Sequence, residues 1–165
     1  CDLGLSARYA CDENLLCQDL NLEDDAPASC QAIVYECPAG WMFNDLSAAV
    51  DWRVEGNLAE GELGEHGGGS CSGSDTGQND LYSFTAMEAG TYVFSTSGDA
   101  GDTILWIREA CGLEETEIDC NDDTNDLFSE VQADLNAGQT IYVFVDSFNE
   151  NGRDAYTLQV QRAGN

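Results

Sequence analysis

Lysine is absent from this chain of 165 residues, and histidine occurs once, at His66. The side-chain cations are five arginines, Arg8, Arg53, Arg108, Arg153 and Arg162, set against 32 acidic residues, for a formal charge of −27. Nucleic-acid backbones and anionic membrane surfaces are recognised through clustered cations, so the composition excludes both as partners. Without lysine there is no Gly-x-x-x-x-Gly-Lys phosphate loop. The single histidine sits among glycines beside Glu65, and there is no Gly-x-Ser-x-Gly elbow, so a Ser-His-Asp or Cys-His catalytic arrangement has little to build on. No run of about 18 apolar residues is present to cross a membrane as a helix. No Asn-x-Ser/Thr acceptor for N-glycans occurs. No signal peptide precedes Cys1, and the chain is read as a mature product or an excised domain.

A charge this large opposes collapse and on its own leans toward disorder. Two features point the other way. Apolar residues make up 42% of the chain and fall in defined runs, and there are eight cysteines, Cys1, Cys11, Cys17, Cys30, Cys37, Cys71, Cys111 and Cys120. An even number of cysteines in a short chain suits disulfides formed in an oxidising compartment, which predicts an exported protein, extracellular or on the outer cell surface. Structural zinc is disfavoured because no Cys-x-x-Cys pair occurs.

Residues 1–40 hold five of the cysteines and the acidic stretch Asn21-Leu-Glu-Asp-Asp-Ala-Pro27, which predicts a small segment held by bridges rather than by a core, with one short strand over 32–36. Residues 41–165 read as strands joined by Gly, Asn and Asp turns. Ala48, Val50, Trp52 and Val54 alternate with charged residues and predict a half-buried strand. Residues 81–86 and 91–96 flank Met87-Glu-Ala-Gly90 as a hairpin, with Tyr82, Phe84, Tyr92 and Phe94 on one face. Thr103–Arg108 and Thr140–Val145 are apolar on both faces, as strands inside a sandwich are. Residues 130–135 and 155–161 alternate cleanly, and Gly61–Gly77 reads as a long loop tied down by Cys71. No stretch sustains a 3.6-residue period, so the expectation is an all-β, antiparallel jelly-roll-like β-sandwich with a small disulfide-rich N-terminal segment.

The ordered motifs Ser70-Cys71, Asp80–Ala86, Ala89–Thr96, Asp102–Arg108, Cys111, Cys120-Asn-Asp-Asp123, Ala137–Asp146 and Tyr156-Thr-Leu158 resemble the bacterial pre-peptidase C-terminal domains, and especially the disulfide-bearing versions in secreted myxobacterial proteins. The resemblance covers roughly residues 50–162. It implies a jelly-roll-like sandwich without catalysis of its own, attached to exported enzymes or cell-surface proteins. The chain departs from the commonest arrangement in carrying no peptidase domain.

The densest polar cluster is Asn121-Asp-Asp-Thr-Asn-Asp126, after Cys120 and between two strands. Loops rich in Asp and Asn supply the six to eight oxygens that calcium takes at about 2.3–2.6 Å. Asp102, Asp122, Asp123 and Asp126 are the expected ligands, with Asn121 next; otherwise these residues cap turns and solvate a loop. An EF-hand does not fit, because the sixth position counted from Asp122 is Leu127. Asp146 with the loop 149–154 is a weaker second cluster. Cys111 and Cys120, nine apart around a hairpin-like loop, predict a local bridge; Cys71 is then left to pair with Cys1, Cys11, Cys17, Cys30 or Cys37. Trp52 and Trp106 lie on predicted strands and read as core. Trp41, beside Gly40, is the candidate ligand-binding aromatic.

These features predict a non-enzymatic, calcium-stabilised binding or structural module. Its partners would be copies of itself, as in an extracellular filament or coat, or other extracellular protein or polysaccharide. The alternative is a targeting domain from a larger secreted hydrolase.

Overall fold

A computed structural model describes residues 15–18, 29–32, 37, 41–58, 62–63, 68–72, 78–98, 101–124, 126–148 and 155–164. The chain divides into two compact units, Cys1–Tyr35 and Glu36–Asn165. In the first, strands β1 (Leu15–Gln18) and β2 (Ser29–Ala32) pair antiparallel, with Cys17 opposite Cys30 in the ladder.

The second unit holds β3 (Asn44–Asp45), β4 (Arg53–Asn57), β5 (Glu62–Leu63), β6 (Gln78–Thr85), β7 (Gly90–Ser97), β8 (Thr103–Arg108), β9 (Glu117–Asn121), β10 (Glu130–Leu135), β11 (Thr140–Ser147) and β12 (Ala155–Arg162). They form a four-stranded sheet, β10-β7-β12-β4, and a six-stranded sheet, β3-β6-β11-β8-β9 with β5 also on β6. All pairs are antiparallel except β3 with β6. The links β6–β7, β7–β8, β9–β10, β10–β11 and β11–β12 each pass from one sheet to the other. This alternation makes the fold an all-β, jelly-roll-like sandwich.

The expected 81–96 hairpin is therefore an arch. β6 pairs with β11, while β7 pairs with β10 and β12 in the opposite sheet. Tyr82, Phe84, Tyr92 and Phe94 do share the core, but they face it from both sides. The Phe84 ring lies 5.2 Å from Tyr92 and 5.3 Å from Phe94 across the sandwich. Burying both pairs between sheets removes more apolar surface from water than an isolated hairpin face would. The strand expected over 48–55 is also revised. Leu46–Ala48 and Val50–Trp52 form 3-10 turns, and Asp51 and Trp52 take left-handed backbones (φ 52° and 48°), so pairing begins only at Arg53.

The central strands of the six-stranded sheet are buried on both faces. Every residue of β8 is buried, and so is most of β11. Leu105, Ile107, Val143 and Val145 fill the inter-sheet core, while Ile104, Trp106 and Phe144 form a second cluster on the outer face with Leu81 and Cys111. Two disulfides pin that outer layer, Cys37–Cys111 and Cys71–Cys120, and no described cysteine is free. The expected Cys111–Cys120 bridge does not form. β8 and β9 do make a hairpin, but its register sets Cys120 opposite Trp106, well inside the ladder, whereas Cys111 lies in the turn beyond the strand. Each sulfur instead reaches a different chain segment. Cys71 thus ties down the glycine-rich stretch through Cys120, not through the N-terminal cysteines.

Arg108 is the one arginine wholly inside the described fold. Its guanidinium lies 5.0 Å from the Phe144 ring and 5.9 Å from that of Trp106, and its Nη2 donates to the Gly68 carbonyl at 2.8 Å. A buried cation is tolerated where aromatic faces and carbonyls replace its water.

Candidate functional site

Three strand ends meet at one edge of the six-stranded sheet. Asp102 precedes β8, Asp122 and Asp123 follow β9, and Phe148 follows β11. Backbone hydrogen bonds lock them: Phe148 N donates to the Asp102 carbonyl at 2.9 Å, and Thr103 N donates to the Leu127 carbonyl at 3.0 Å. The Ser129 hydroxyl lies within hydrogen-bond reach of the carbonyls of Thr103 and Asp122. These contacts gather one carboxylate oxygen from each of Asp102, Asp122 and Asp123 within 4.8 Å of one another.

The electrostatics of this triad are unfavourable without a counter-charge. Burial, then the neighbouring Asp123 and Asp102 carboxylates, push the Asp122 carboxyl above its ordinary value. Asp122 Oδ1 is sealed from solvent and takes no hydrogen bond from the described residues. An oxygen in that state suits a hard cation, which takes carboxylates and loop carbonyls as ligands.

Of the other two expected ligands, Asn121 is engaged by its neighbours. Asn121 Oδ1 accepts from Glu130 N at 3.1 Å and from the Thr124 hydroxyl at 2.7 Å. Asp119 Oδ2 accepts from Gln132 N at 2.9 Å. Side chains of β9 thereby satisfy backbone donors of β10, whose edge would otherwise be open. Alternation along β9 sends Asn121 to the opposite face from Cys120, a placement that residue type alone does not reveal. Asp126 is exposed, in a left-handed turn (φ 58°), and lies outside the triad. Asp146 is buried, with Ser147 N donating to its Oδ1 at 2.7 Å. The loop 149–154, His66 and the expected strand beyond Ala32 lie outside the described residues, as do the side chains of Cys1, Cys11, Cys17 and Cys30.

Trp41 is half-buried in the outer cluster, edge-on to Phe144 at 6.4 Å. Trp106 is fully buried and stacks on Phe144 at 5.1 Å; Trp52 packs partly against the inner core. A polar network not foreseen from the sequence joins the sheets. Tyr156 donates to Asp80 Oδ2 at 2.6 Å, and the Tyr82 and Tyr156 hydroxyls lie 2.7 Å apart. Burial pushes both tyrosines up, Tyr82 to about 12. Gly56 makes room for the ring, since a Cβ there would stand 2.2 Å from Tyr156 Cζ. The only signal in the sequence was the tyrosines' inward parity.

Fold and site define a disulfide-stapled, two-sheet antiparallel sandwich with an acidic triad at one end. No protein-family model matches the chain, and no curated protein matches it. Among solved structures it is similar to the pre-peptidase C-terminal domain of collagenase from Bacillus anthracis, at 16% identity and a TM-score of 0.48, over 73% of this chain and 95% of that one. It is similar to Aeromonas hydrophila PliG, a periplasmic inhibitor of g-type lysozyme, at 15% identity and a TM-score of 0.38, over 66% and 84%. A family 35 carbohydrate-binding module from an environmental isolate matches at 20% identity and a TM-score of 0.36, over 75% and 94%.

Proposed function

We propose that this chain is a non-enzymatic module of an extracellular or cell-surface protein. In this reading it is a sandwich stapled by disulfides and stabilised by calcium at Asp102, Asp122 and Asp123, with binding of protein or polysaccharide as its work. The observation that carries the reading is Asp122 Oδ1, shielded and without a partner among the described residues, beside two further carboxylates. Two disulfides support an oxidising compartment. The tyrosines whose acidity is most perturbed lie between the sheets, away from any substrate, and so support a structural role for that network.

Assembly into a filament would need an open strand edge. Asp119 and Asn121 of β9 cover the edge of β10. β4, paired only with β12 among the described strands, is five residues long and exposes Arg53 and Glu55. Short, charged edges discourage pairing with another chain, so recognition ranks ahead of self-assembly.

Titration of calcium into chelator-treated protein by calorimetry tests the reading. One saturable site is expected, lost in Asp122→Asn. Absence of binding heat at millimolar calcium would overturn it.

A further inference from the structure

An open cleft of about 620 Å³ lies between the turn Val50–Trp52 and the end of β12, lined by Asp51, Trp52, Val160, Gln161 and Arg162. Its volume falls within the roughly 300–1,000 Å³ of small-molecule sites. The cleft stands at the far end of the sandwich from the aspartate triad. Arg162 is opposite Tyr92, near the start of β7, whereas Thr103 beside the triad meets Thr96 near the end of that strand.

The backbone here is strained. Asp51 and Trp52 are consecutive non-glycine residues in the left-handed region, which a bulky side chain rarely adopts. Such strain persists where the surroundings over-determine it, and it clusters at binding sites. Here it positions the indole. Phe84 meets the Trp52 ring edge-on at 5.4 Å, and Tyr92 lies against it at 5.8 Å. The half-buried ring forms a wall of the cleft.

Polar groups of both signs surround that ring. Asp51 is exposed and its carboxylate makes no hydrogen bond with the described residues. Arg162 is held by the Glu88 carboxylate and the Ala89 carbonyl, in space that Gly90 leaves free: a Cβ there would stand 2.7 Å from Arg162 Nε. Gln161 is exposed, on the opposite face of β12 from Val160.

We propose that this cleft binds a neutral sugar ring of a polysaccharide. An anionic ligand is opposed by Asp51 and by the overall charge, and Arg162, already paired with Glu88, is not free to recruit one. A neutral, polyhydroxylated ring suits this lining: its hydroxyls donate to Asp51, while its C–H face lies on the indole. The proposal rests on the reading of the chain as a binding module and is independent of its calcium site.

The test is titration of the whole chain with cellohexaose, xylohexaose, laminarihexaose, maltohexaose and chitohexaose, in EDTA, followed by calorimetry and indole fluorescence. At least one hexasaccharide should bind saturably, and affinity should fall about tenfold or more in Asp51→Gly, as loss of a hydrogen bond to a charged group predicts. Glycine keeps the left-handed turn accessible, so the melting midpoint should not drop. Trp52→Ala should also abolish binding, but it disturbs Phe84 and Tyr92, so Asp51→Gly carries the decision. No saturable binding to any of the five, or undiminished binding in Asp51→Gly, overturns the proposal. Binding that appears only when calcium replaces EDTA also overturns it, while leaving the module and its calcium site standing.

Discussion

Tyr82 and Tyr156 meet hydroxyl to hydroxyl at 2.7 Å from opposite sheets, and Tyr156 passes its proton's hydrogen bond on to Asp80. The sandwich is thus tied through its middle by a chain of three polar side chains among apolar ones. Tyr156→Phe removes both contacts and strands part of that chain in the core. The expected cost is about 1–3 kcal/mol, read from denaturant unfolding. Gly56→Ala should also destabilise, because the new methyl meets the Tyr156 ring.

The same pair predicts alkaline sensitivity. Tyr82 is held at about 12 in the fold against an ordinary value of 10.0. Below pH 10 it is protonated in both folded and unfolded chains, and stability is unaffected. From pH 10 to about 12 the unfolded chain loses the proton first, so stability falls, by on the order of 2–3 kcal/mol from this residue. Melting curves at stepped alkaline pH should show that decline, and a flat profile to pH 12 would contradict it.

Cys71–Cys120 closes a sequence separation of 49 residues and seals the layer over Trp106. Replacing both cysteines by alanine should cost about 2–4 kcal/mol, from lost constraint on the unfolded chain. The check is the shift in unfolding midpoint of the double variant. The doubly substituted Cys37→Ala/Cys111→Ala chain should behave similarly.

Asp122→Asn separates charge from packing. The Asp122 carboxyl is raised by burial and by Asp123 and Asp102, so without calcium its ionised form weakens the fold above its folded value. Removing the charge should therefore raise the melting midpoint of chelated protein at neutral pH, the opposite of what loss of a stabilising aspartate would do. As pH falls through the folded value, parent and variant should converge.

The central strands were legible because β8 and β11 are apolar at every position that matters, a pattern reserved for strands covered on both faces. The arch was not. Tyr82, Phe84, Tyr92 and Phe94 have the same inward parity whether their strands pair or face each other, and only β6 pairing with β11 distinguishes the two. The disulfides failed for a related reason: nine residues suit a local bridge, but register sets Cys120 opposite Trp106. Within the acidic loop, Asp102, Asp122 and Asp123 converge because strand ends bring them together. Asn121, adjacent in sequence, is turned by the pleat onto the backbone of β10. Trp52 looked like a strand residue because its alternation was correct, and nothing local announced the two left-handed residues that set it into a turn.

The most direct measurement is the melting midpoint of the parent chain and of Asp122→Asn, each with EGTA and with calcium at physiological ionic strength. Calcium at about 100 times its dissociation constant should stabilise the parent by about 2.7 kcal/mol, a rise on the order of 5–10 °C, and leave the variant unmoved. An identical parent midpoint in both buffers would contradict the account.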